Sequence, residues 1–258
     1  VSSPPPPAPS LPPPPADGSP RYFALLYSPL AVRALLGTLL ALADEISAGV
    51  GRGLDHSVAH LRLEWWRGEA ERYAHGQPQH PWLRALLAHD RARHLNLRPL
   101  VEAAAQDLAT ETLGAQPGAA LQRAVFELAE SALRTPPDSE PPAMQLQRTL
   151  SELAERACEL ERFAAARTLP ASAAAAPCAP SAAPPALAAL RRQAQTIESA
   201  LQPRLAPLLV WIALAARQAE RRARRPARNR GTRLDGFADN IVAWKAARRA
   251  ARGRFRID

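Results

Sequence analysis

LRLEWWRGEAERYAHGQPQHPWLRALL, Leu61 to Leu87, is the stretch on which the fold turns, and it reads together with LLALADEISAG, Leu39 to Gly49, just upstream. Around the upstream segment Val32, Leu35, Leu36, Leu39, Leu40, Ala43 and Ile46 recur at intervals of three and four, the period of one helix face. Ser28 followed by Pro29 offers an N-cap and a first-turn residue, so a buried helix is predicted from there to about Gly49. Asp55 is placed to cap a second helix whose apolar positions are Val58, Leu61, Trp65 and Tyr73 and whose stop is Gly76.

Helical signals continue toward the C-terminus at about 81–93, at about 97–113 with Gly114 as the stop, and at about 119–134 before the break TPPDSEPP. Another helix is predicted at about 142–167, and three more at about 186–201, 204–224 and 235–252. A proline- and alanine-rich linker, Pro170 to Pro185, stands between them. Alanine, leucine and arginine dominate while β-branched and aromatic residues are scarce, so strands have little raw material. The expectation is an all-α single domain over residues 21–256. Residues 1–20 hold ten prolines and read as a disordered tail prone to polyproline II.

Composition narrows the function classes. From Arg217 to Asp258 there are fourteen Arg or Lys against four acids, so the +9 net charge belongs to the C-terminal end. Lys245 is the one lysine among thirty-three basic residues, a bias toward arginine that weakens any inference from arginine number. Cys158 and Cys178 form neither a disulfide framework nor a metal motif. No secretory signal is recognisable, and the longest apolar runs fall short of the roughly 20 residues of a spanning helix. A cytoplasmic protein, peripheral at most to the inner membrane, is expected.

Several segments carry a resemblance. Arg33 in the first long helix, Asp44-Glu45-Ile46-Ser47-Ala48, the tryptophan-rich Arg62 to Glu69 and the HP-containing Gly76 to Leu86 stand in order and spacing. Val101 to Leu108, ending in Asp107-Leu108, the RTLP of Arg167 to Pro170, and Pro203 to Arg222 add fainter echoes. Together these resemble the squalene/phytoene synthase family, with its head-to-head trans-isoprenyl diphosphate synthase fold. The resemblance covers roughly residues 21–250 and is strong before 108. It implies a helical bundle around a central cavity, and a Mg²⁺-dependent transferase that condenses prenyl diphosphates.

Such chemistry needs spaced carboxylates. Magnesium takes several oxygen ligands in near-octahedral geometry, and acids four apart on facing helices can share ions that draw off a diphosphate. The first motif here keeps Asp44 but has Ala48 where the fourth-on acid belongs, and Glu45 lies about 100° around the helix. The second reads ELAERACELERFAAARTLP, with Glu155, Glu159 and Glu161 but no aspartate. The candidate metal- and diphosphate-binding residues are therefore Asp44, Glu45, Asp107, Glu155 and Glu159, with Arg33 as a phosphate contact. Trp65, Trp66 and Leu40 are candidates to line a prenyl cavity. The alternative for Glu155 and Glu159 is a solvated helix face, that for Asp107 a cap or salt bridge, and that for the tryptophans core packing. His56 and His60, four apart, lack a clear third ligand for zinc.

Three functions follow as expectations. The first is a catalytically degenerate family member that binds a prenyl or lipid-like ligand or serves as an accessory or assembly factor. Relatives of that kind are known, one acting on respiratory complex I. The second is an active prenyl transferase. The third is a basic module in which Arg221 to Arg233, RRARRPARNRGTR, meets an anionic membrane surface or RNA. No nucleic-acid motif accompanies that run.

Overall fold

The computed structural model describes residues 12–50, 55–112, 119–133, 183–197, 202–224 and 233–257, together with 148–149, 152–153, 156–157, 159–161 and 199. These residues are all-helical, without a strand among them. The helices are α1 (Pro20–Leu26), α2 (Leu30–Gly49), α3 (His56–Ala74), α4 (Pro81–Leu87), α5 (Arg98–Thr112), α6 (Ala119–Leu133), α7 (Ala183–Ala194), α8 (Ala206–Arg224) and α9 (Arg233–Ala251). A 3₁₀ turn at Asp90–Ala92 follows α4, and the described residues between 148 and 161 are helical. Among the described residues no helix is long and apolar enough to cross a membrane.

Two helices are buried along much of their length. In α8 every residue from Ala206 to Ala216 is buried, the pattern of a helix apolar all round. In α2 the predicted stripe, Val32 through Ile46, is buried. Helices α1 and α6 each pack on both, and Phe126 of α6 meets Trp211 of α8 with ring centroids 5.6 Å apart. Helices α3, α4 and α5 cover the other side of α2, while α7 and α9 cover α8.

Three local expectations are corrected. Helix α1 starts inside the stretch read as tail, because Ser19 caps it through the Tyr22 amide at 3.1 Å and Pro20 fixes its first turn. Pro15 is already buried, and Gln218 of α8 donates to the Gly18 carbonyl at 2.9 Å. Ser28 does not cap α2; its hydroxyl donates back to the Ala24 carbonyl at 2.7 Å, and Pro29 holds the cap position. Finally, α3 buries Ala59, Leu63, Trp66, Ala70 and Tyr73, whereas Val58, Leu61 and Trp65 are exposed. The sequence offers two stripes that merge at Tyr73, and packing against α2 and α5 selects between them. Tyr73 donates to the Ala92 carbonyl at 2.6 Å, and burial pushes its phenol up to about 12.

Glu69 fixes the sharp entry into α4. Its carboxylate is fully buried, pairs with Arg72 at 2.6 Å, and accepts the Gln79 and His80 amides at 3.1 and 3.0 Å. Burial disfavours the charge, but the His80 amide and Arg72 outweigh it and hold the carboxyl below its usual range. The first-quoted stretch thus becomes a helix, a turn with Gly76 at φ 75°, and a second helix, held by one acid. A depressed acid contributes stability above its unfolded pKa, near 4.3, and loses it as pH falls through the folded value. Glu69→Gln should therefore cost about 2–3 kcal/mol at neutral pH. In urea melts that cost should shrink as pH falls below the usual carboxylate range and through the depressed folded value.

Candidate functional site

Of the acids expected to hold a diphosphate, Asp44 stands where α1, α2, α6 and α8 meet, and an arginine is already there. Arg21, on the first turn of α1, donates to Asp44 of α2 at 3.0 Å. Its second terminal nitrogen reaches the side-chain oxygen of Gln122 on α6. The guanidinium also lies over the Trp211 ring of α8, 5.2 Å from the centroid. Trp211 in turn donates its indole N–H to Glu161. Asp44 is 60% exposed while Arg21 is only 11% exposed, so the acid sits at the surface and the cation beneath it.

Electrostatics couple the two helices that carry acids. Burial pushes the Glu161 carboxyl above its ordinary range and the nearby Asp44 charge adds to this, while Arg21 and the Trp211 N–H pull the other way. Glu161, from the segment where a second acid motif was expected, and Asp44, from the first motif, thus answer to one guanidinium. Arg21, Gln122 and Trp211 were not among the residues picked from sequence. The Ser19-Pro20 cap was the available signal for Arg21, because it starts a helix ahead of the one read from Ser28.

Other candidates have different partners. Glu45 pairs with His80, 3.3 Å from Nε2. The His80 Nδ1 accepts the Trp82 amide at 3.3 Å as the cap of α4, which puts the ring proton on Nε2, toward Glu45. Asp107 accepts the Ala120 and Leu121 amides at 3.1 and 2.9 Å, so it caps α6 from α5 instead of facing a ligand. Arg33 donates to the Leu26 and Ser28 carbonyls at 2.8 and 3.0 Å, closing the end of α1 where a phosphate contact was expected. Glu159 is exposed, as are His56 and His60, and Glu155 lies outside the described residues.

Leu40 and Trp66 are core residues, and Trp65 is 44% exposed with its ring against Trp66 and His80. The apolar space lined by Leu42, Ile46, Trp66 and Leu100 holds about 10 Å³, no more than one water needs. A groove of about 490 Å³ between α5 and α6 is open and lined by polar and apolar residues alike, among them Glu102, Asp107, Arg123, Ala103 and Ala124. Among the described residues no three His, Cys, Asp or Glu side chains stand together as a metal site. Among the described acids, none are grouped as a bridging magnesium cluster requires.

The basic run resolves in part. Arg221 is engaged on α9, donating to both oxygens of Asp239 at 2.9 and 3.0 Å, with Arg217 on the same carboxylate at 3.0 Å. Arg224 pairs with Glu220 at 2.6 Å. The expectation that Arg221 meets an external anion gives way to a tie between α8 and α9, because buried Asp239 needs it. Positions 225–232 lie outside the described residues.

No protein-family model, curated protein or solved structure matches this chain. An acid whose folded pKa is raised opposes folding while ionised, so stability should rise as pH falls through the Glu161 value toward the unfolded one. Glu161→Gln should leave thermal stability at neutral pH unchanged or higher and remove that rise. Arg21→Ala, which strips Asp44, Gln122 and the Trp211 face of one partner, should cost about 1–3 kcal/mol in chemical melts.

Proposed function

We propose that this chain is a divergent, catalytically degenerate squalene/phytoene synthase-like protein that acts as an accessory or assembly factor. The observation that carries the reading is the Arg21–Asp44 pair: the one aspartate kept from the first acid motif is held by the chain's own cation. A guanidinium is permanently charged and presents planar donors, so it can satisfy a carboxylate that would otherwise gather metal. It has no open coordination position for a phosphate oxygen and cannot perform the ion's part in drawing off a leaving group. Ala48, one turn on from Asp44, leaves that face without its second acid.

Between a ligand-binding and a purely accessory role, the small size of the apolar space beside Trp66 favours the latter. A prenyl chain needs an apolar cavity of hundreds of cubic ångströms, and the apolar space under Trp66 holds about 10 Å³. The bundle topology and the prenyl-synthase ancestry belong to this reading and rest on the order and spacing of the motifs from Arg33 to Leu86.

Purified protein given farnesyl or geranylgeranyl diphosphate with Mg²⁺ should release no pyrophosphate. Ala48→Asp should not change that, since the facing segment supplies no matching pair. Metal-dependent release by the unaltered chain would sink the proposal in favour of an active transferase. In cells, deletion should disturb a respiratory assembly and leave isoprenoid products intact; loss of an isoprenoid would also point to the transferase.

A further inference from the structure

Helix α9 is apolar on two sides, and the fold covers one of them. Ala243, Ala246 and Ala250 are buried on the side toward α8, which the Asp239–Arg221 pair ties down. On the outward side Phe237, Ile241 and Trp244, spaced by four and three, form one stripe exposed to 68%, 38% and 45%. Arg248 continues that stripe one turn further and lies over the Trp244 indole, 4.8 Å from its centroid. Tyr27 bonds Asn240 at the stripe's edge, and Leu26 and Leu30, also exposed, flank that tyrosine.

Among the described residues, the charges beside this stripe are mostly cationic. The two acids of α9, Asp235 and Asp239, turn inward to Arg221, with side chains only 14% and 4% exposed. Next to the stripe, where α8, α9 and the C-terminal segment meet, a pocket of about 90 Å³ is lined by Arg217, Lys245, Arg249 and Arg256. Its one acid, Glu220, is engaged by Arg224 at 2.6 Å and Arg191 at 3.5 Å.

We propose that α9 is a membrane-surface helix: Phe237, Ile241 and Trp244 enter the interface of an anionic phospholipid bilayer while Arg248 and the neighbouring cationic pocket meet lipid phosphates. Aromatic and aliphatic side chains gain by leaving water at the headgroup boundary, and each nearby Arg or Lys adds attraction to a negative leaflet. An exposed apolar helix face bordered by cations complements a flat negative surface, which demands no matching groove. This surface is separate from the Arg21–Asp44 site, so the inference stands or falls independently of the accessory-factor reading.

The test uses the full chain and vesicles of phosphatidylcholine alone or with about one third phosphatidylglycerol, followed by sedimentation. The unaltered protein should pellet with the phosphatidylglycerol vesicles and be released by high salt. The triple variant Phe237→Ser, Ile241→Ser, Trp244→Ser should bind at least about tenfold more weakly, with unchanged helical circular dichroism because all three side chains are exposed. Lys245→Gln with Arg248→Gln should lose the preference for the anionic vesicles. Three outcomes would overturn the proposal: no binding by the unaltered chain, binding insensitive to the apolar triple, or a dimer on gel filtration that the triple abolishes without any vesicle association.

Discussion

A charge carried into an apolar interior must find a partner there, and this requirement organises the protein more than any single packing contact. Helices α2 and α8 supply the apolar mass, but the polar groups they and their neighbours bury decide how the elements join. Glu69 gathers two backbone amides and Arg72, Asp107 caps α6, and Asp239 draws Arg217 and Arg221 across from α8. Each carboxylate closes a joint between successive helices. Leaving any of these carboxylates buried without partners costs far more than the contact itself contributes.

The same rule governs the candidate site. Arg21 enters at the junction of four helices, where an unpaired guanidinium would be expensive, and it is satisfied by Asp44, Gln122 and the face of Trp211. A cation fixed by the fold makes the junction self-contained. A metal-dependent enzyme leaves its acids under-satisfied until the ion arrives. Here the available acids are distributed among an arginine, a histidine and a helix end, so the electrostatic demand is met from within the chain.

How much could be read beforehand differs from residue to residue. The apolar stripe of α2 and the Asp55 cap of α3 are local patterns, and they stand in the structure as the periodicity and side-chain chemistry require. Trp65 and Trp66 are adjacent and chemically alike, so nothing local distinguishes the exposed one from the buried one. Arg33 and Asp107 are likewise ordinary polar residues on helices; only the approach of α1 to one and α6 to the other shows that they serve backbone groups. Arg21 was hidden because the first helix was read from Ser28, whereas Ser19 and Pro20 already begin one.

The sequence by itself determined the all-helical class, the positions of most helices, and the shortage of spaced aspartates, because propensity, capping and motif spacing act over a few residues. Tertiary structure alone decided which face of α3 is buried, which acids meet which cations, and that Asp44 and Glu161 share one guanidinium. It also decided that Phe237, Ile241 and Trp244 stay outside while three alanines of the same helix go in. Those outcomes depend on which helices approach one another, and burial and electrostatic pairing are properties of that approach, not of the local chain.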